Sequence, residues 1–160
     1  MKLQVLSSQI QRLHWLISQA SELNADQLEL QAHLARYICV LSAGFLENAH
    51  IDVYSRYARA CSTPAVADYV ESTLRRVQNP KAKRFEETAK AFNKAWEEDL
   101  ATFLNSDGRR DAIDAIMSNR HLIAHGKDSG ITLARLKEYL SKSIAVLEFI
   151  ENQCNFNPQN

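Results

Sequence analysis

The sequence predicts an all-α protein, a helical bundle of about six helices around a long central second helix. Three observations carry that expectation. Apolar residues recur at helical spacing along most of the chain, and no segment sustains the period-2 alternation of a strand. Only four glycines and three prolines interrupt 160 residues. Where prolines do occur, Thr63-Pro64 and Asn79-Pro80 read as helix starts, with proline at a first-turn position whose N–H has no partner to lose.

The elements follow in order. The first helix is expected from about Leu3 to Leu23, with Leu6, Ile10, Leu13 and Ile17 on one face and Leu16 and Ala20 widening it. Asn24 is a candidate cap for the second helix, with Asp26 in its first turn where the helix dipole favours an anion. That second helix is expected from about Ala25 to Ala60. Leu34, Ile38, Leu41 and Phe45 form one stripe, and Val40, Gly44, Ile51 and Tyr54 another. A helix apolar on several sides is packed by neighbours all round. Gly44 suggests a close crossing or a bend. A short helix from Pro64 to about Val77 follows, then one from Pro80 to about Leu104. Ser106 or Asp107 is placed to cap a helix ending near His125, and Gly126 is its stop. Lys127-Asp128-Ser129-Gly130 reads as a turn. Thr132 caps the last helix, where Leu133, Leu136, Leu140, Ile144, Leu147 and Ile150 keep helical spacing. Residues 1–152 are read as one domain, and Gln153 to Asn160 as a frayed tail.

Composition narrows the function classes. Apolar residues make up 46% and charged residues 24%, which is ordinary globular usage. Lys+Arg and Asp+Glu are equal at 19 each, which argues against a broad non-specific nucleic-acid binder but leaves room for a small basic site. Cys39, Cys61 and Cys154 lack metal-ligand spacing and read as reduced thiols of a cytoplasmic protein. The N-terminus, with one Lys and then Gln, Ser and Ser among its apolar residues, does not read as a signal peptide, and no run approaches membrane-spanning length.

The chemistry concentrates in Arg120-His121-Leu122-Ile123-Ala124-His125, followed at once by Gly126. Histidine changes charge near neutral pH. Arginine is the permanent cation best shaped for phosphate. On a continuous helix His121 and His125 subtend about 40° and share a face, whereas Arg120 and His125 subtend about 140° and do not. Positive charge near a helix C-terminus is also what plain capping provides, so a capping reading stands beside the catalytic one. His121 and His125 have the spacing of two zinc ligands, but no Glu follows His121 and no third ligand lies nearby, so no metal and no other cofactor is expected.

Asn119-Arg120-His121-Leu122-Ile123-Ala124-His125-Gly126 resembles the signature of the HEPN superfamily, helical-bundle ribonucleases with arginine, a polar residue, several variable residues and then histidine. Phe45-Leu46-Glu47-Asn48-Ala49, Tyr54-Ser55-Arg56-Tyr57-Ala58-Arg59 and Asn79-Pro80 are similar to the branch called RiboL-PSP-HEPN, which is associated with bacterial toxin–antitoxin and phage-defence loci. The likeness spans about residues 35 to 150. It implies a metal-independent endoribonuclease that works as a homodimer with a composite cleft, Arg120 and His125 as the catalytic pair, and Asn119 and His121 in support. It also implies an antitoxin or defence-system partner protein. A non-catalytic HEPN-like module that binds RNA or protein is the alternative.

Two further groups of residues enter as expectations. Glu47 and Asn48 continue the apolar stripes of the second helix. Either the bundle opens to solvent there, or Glu47 holds the Arg120 guanidinium, since a buried carboxylate needs a partner. From Arg75 to Lys94 basic residues outnumber acidic ones, which either guides an RNA backbone or is a solvated helical face. Lys81, Lys83 and Arg84 stand out because positive charge at a helix start opposes the dipole. With Lys127 they are the candidate RNA-binding residues. Trp96, Phe92 and Phe103 read as core.

Overall fold

The computed structural model describes residues 4–155, with side chains from Leu6 onward. Seven α-helices and no strand occur among them: α1 (Gln4–Ser21), α2 (Leu28–Cys61), α3 (Pro64–Leu74), α4 (Ala82–Phe92), α5 (Lys94–Leu104), α6 (Arg109–Ala124) and α7 (Leu133–Asn155). Leu3, and Phe156 to Asn160 of the tail expected to fray, lie outside the described residues.

The helix α2 is the central element, packed against α1, α3, α6 and α7. Consecutive residues of it are buried, as in Ala49-His50-Ile51 and Val53-Tyr54-Ser55, which places neighbours on more than one side of the helix. The core runs from Leu6, Leu13 and Ile17 of α1 through Leu46 and Tyr54 to Ile113 and Ile116 of α6 and Leu136, Leu140 and Leu147 of α7. Phe92 stacks on Tyr54, Trp96 meets Tyr57 edge-on and Phe103 stacks on Phe149, so these three aromatic residues are packed into the bundle.

Several expectations are corrected. The span from Pro80 to Leu104 is two helices. Asn93 leaves helical geometry at φ −160°, and its side chain accepts from the Ala95 N–H, so one residue ends α4 and caps α5. The helix expected to reach Val77 stops at Leu74, and Asn79 then turns the chain at φ +52°. Ser106 and Asp107 do not cap α6. Gly108 does, in left-handed geometry. Asn24 opens a 3₁₀ turn over Ala25–Gln27, and α2 starts after it at Leu28. Gly44 marks no close crossing, since a Cβ there would meet nothing within 4 Å. Thr132 behaves as read, its hydroxyl accepting from the Arg135 N–H at the start of α7. Gln153 is helical rather than frayed and donates to the Trp96 carbonyl at 3.1 Å.

Candidate active site

The helix α6 ends in a Schellman closure, built from Gly126 at φ +64°. The Gly126 N–H donates to the Ile123 carbonyl at 3.1 Å, and the Lys127 N–H to the Leu122 carbonyl at 2.9 Å. His125 is the capping residue, at φ −96° and ψ 14°, with its N–H shared among the last carbonyls of the helix. Its imidazole is exposed. The rings of His121 and His125 lie 4.4 Å apart between centroids, tilted by 58°, so the two imidazoles face solvent as a pair.

Arg120 points elsewhere. It follows Ile113 by seven residues and Ile116 by four, which places it on the stripe of α6 that packs into the bundle. It is half-buried. The other half-buried arginines all have partners: Arg36 with His33, Arg56 with Asp52 and Glu151, Arg109 with Asp107 and the Phe103 carbonyl, and Arg110 with Glu86. Arg120 alone has no hydrogen bond or ion pair among the described residues. A permanent cation in that position is a ready receptor for an anion. No hydrogen bond joins Arg120 to His125 within the chain.

Glu47 does not hold Arg120. Its carboxylate accepts from the Asn79 backbone N–H at 2.8 Å, while the Asn79 amide donates to the Met117 carbonyl at 3.3 Å. Glu47 therefore fixes the turn before α4 and ties it to α6, one helical turn before Arg120. Asn48 is exposed in a groove between α1 and α2 with Arg12, Leu13 and Gly44. Asn119 is occupied on both sides of its amide: it donates to the Ala115 carbonyl at 2.8 Å and accepts from the Ser129 hydroxyl at 2.7 Å.

The basic stretch is largely neutralised. Arg75 pairs with Glu71, Arg84 with Glu87, Lys90 with Glu97 and Lys94 with Glu98. Lys81 and Lys83 are exposed and unpaired among the described residues, as is Lys127. The Ala82 N–H at the start of α4 donates to the Asp114 carboxylate of α6 at 2.8 Å. That carboxylate supplies the negative charge the α4 dipole calls for, which explains how two lysines are tolerated there. Asp114 and Ser129 escape a reading of the sequence because each acts through a contact distant along the chain, and Asn79-Pro80, read as a helix start, instead stands just before Lys81, the capping residue of α4.

Of the other histidines, His14 and His33 are exposed and His50 is buried against the edge of Phe85. Burial, aided by the Arg84 charge, pushes the His50 imidazole down to about 4. All three cysteines are free thiols, and no group of three or more His, Cys, Asp or Glu side chains among the described residues is arranged to hold a metal ion. No described helix is long and apolar enough to cross a membrane.

An all-α bundle that carries arginine and histidine at the end of its penultimate helix has the organisation of the HEPN proteins. The family model described as RiboL-PSP-HEPN matches residues 8–155, and the chain belongs to that family. The family points to an RNA-related function, typically that of a nuclease. No curated protein matches the chain, and no solved structure does.

Proposed function

We propose that the protein is a metal-independent endoribonuclease of the toxin or phage-defence type. One observation carries the reading: Arg120 is a half-buried cation without a counter-ion, on the same short helix end as two exposed imidazoles. An RNA strand brings its own nucleophile, the 2′-OH. His125 takes that proton as general base. The 2′-oxygen attacks the adjacent phosphorus, and Arg120 places two N–H donors on the phosphoryl oxygens as charge builds. A second imidazole, His121 or His125 of the partner subunit, returns a proton to the departing 5′-oxygen. The products are a 2′,3′-cyclic phosphate and a free 5′-hydroxyl.

The angular separation of Arg120 from His125 within one chain supports a homodimer, in which a two-fold axis brings the arginine of one copy and the histidine of the other to one linkage. The same separation favours a second reading, a non-catalytic module that binds RNA or a protein partner through Arg120, Lys81, Lys83 and Lys127. An antitoxin or defence partner would act on the first kind of protein. The readings part on a simple substrate series. An oligoribonucleotide cut at a mapped linkage is compared, in EDTA, with one carrying a single 2′-deoxy substitution at that linkage. The nuclease reading expects the substitution to abolish that cut. Cutting that persists at the deoxy linkage excludes the mechanism, and a protein that cuts no RNA, so that no linkage can be mapped, leaves the binding module.

A further inference from the structure

From Ala124 to Gly130 every residue is exposed except Ser129, which is only 7% exposed. Its hydroxyl donates to the Asn119 side-chain carbonyl at 2.7 Å and accepts from the Ile131 N–H at 3.4 Å. The first bond holds the loop against α6, and the second closes a local turn within the loop itself. Asn119, held in turn by the Ala115 carbonyl, is the residue immediately before Arg120. The loop is thus closed at two points. The Lys127-to-Leu122 backbone bond sets its start, directly after His125, and the Ser129-to-Asn119 bond sets its return. Between them only Lys127 and Asp128 project freely into solvent.

We propose that Ser129 is a positioning residue for the cleavage reaction. Its hydroxyl latches the loop after α6 to the turn of helix that carries Arg120, and so fixes Lys127 and the His125 cap relative to the guanidinium. Ser129 touches no reacting atom. It acts through Asn119 on one side and through the 126–128 segment on the other. This assignment rests on the nuclease reading above and adds a residue to it. Asn119 accordingly serves as the receiving half of the latch, since both ends of its amide are engaged. Holding groups to within a fraction of an ångström governs rate rather than affinity, because a displacement of about 1 Å can cost on the order of a hundredfold.

The test compares wild type with Ser129→Ala, Ser129→Cys and Ser129→Thr. Steady-state cleavage of a fluorophore-labelled oligoribonucleotide is followed in EDTA, well below the unfolding temperature of each variant. Ser129→Ala is expected to lower kcat by about tenfold with KM within about twofold, and Ser129→Thr, which keeps the hydroxyl, to restore most of kcat. Ser129→Cys puts a slightly larger group with a much weaker donor in its place, is likewise expected to lower kcat, and decides the matter if the alanine variant does not fold. A folded alanine or cysteine variant with kcat within about twofold of wild type overturns the positioning role and leaves the nuclease reading standing. A threonine variant that fails to recover kcat while folding normally overturns it as well. Wild-type protein that leaves the RNA intact overturns the nuclease reading and this assignment together.

Discussion

The Lys127 backbone N–H reaches back to the Leu122 carbonyl at 2.9 Å, so the chain reverses immediately after His125 instead of trailing away from it. The reversal turns on Gly126, whose φ of +64° suits glycine and strains other residues. A Cβ at that position would meet nothing within 4 Å, so the cost of adding one is confined to the backbone. Gly126→Ala is expected to destabilise the fold by about 1 kcal/mol, and Gly126→Asn by less, because asparagine visits that conformation more readily. Urea midpoints of the three proteins measure the difference. Equal midpoints would mean that the helix end is not closed in this way.

The Glu47 carboxylate carries the turn before α4 through one bond to the Asn79 N–H. Glu47→Ala leaves that N–H, half-buried, without its acceptor. A loss of about 1–2 kcal/mol is expected, since bonds to a charged acceptor are the stronger ones and partial exposure tempers the cost. Glu47→Gln keeps a carbonyl acceptor and should recover part of it. Chemical denaturation checks both. A Glu47→Ala variant as stable as wild type would contradict the role given to the carboxylate.

Stability should also follow the protonation of His50. Burial, then the Arg84 charge, lowers its imidazole from an ordinary 6.5 to about 4. Above the ordinary value it is neutral in folded and unfolded chains alike, and its contribution is fully present. As pH falls from 6.5 toward 4 the unfolded chain takes up a proton that the folded one refuses, so stability declines across that window and levels off below it. The decline attributable to this residue is on the order of 3 kcal/mol. Comparing wild type with His50→Leu at about pH 7.5 and about pH 5 isolates it, because the other titrating groups are common to both. A stability difference between the two proteins that does not change with pH would contradict the buried neutral imidazole.

The unpaired lysines at the start of α4 give a prediction about RNA. If Lys81 and Lys83 track phosphates, replacing both by alanine weakens binding to an oligoribonucleotide and flattens the dependence of log affinity on log salt by between about 1 and about 2 units. Arg84, neutralised by Glu87, should contribute less. Fluorescence anisotropy across a salt series reads both effects. An unchanged slope in the double variant would return these lysines to an ordinary solvated face.

Much of this architecture is legible from the residues themselves. Helical spacing locates α1, α2, α6 and α7, and Gly126 and Thr132 mark ends that hold in three dimensions. The division at Asn93 is hidden because the apolar pattern runs on from Phe92 to Trp96, while the break depends on one side chain capping its own helix. The surroundings of Arg120 are hidden for a different reason. Glu47 looks like its partner along the sequence, but a backbone N–H of Asn79, 32 residues away, takes the carboxylate instead. The exposed pairing of His121 with His125 can be read from their spacing, whereas the Ser129–Asn119 bond cannot, since a serine in a turn carries no mark of what it reaches.

Arg120 and His125 acting on one phosphodiester is the step on which the proposed chemistry turns. Its most direct test is cleavage of RNA in EDTA by wild type, Arg120→Ala and His125→Ala, with the new 3′ ends analysed. Wild type is expected to leave 2′,3′-cyclic phosphates, and each variant to lose cleavage while remaining folded. Equal cleavage by all three proteins would contradict it.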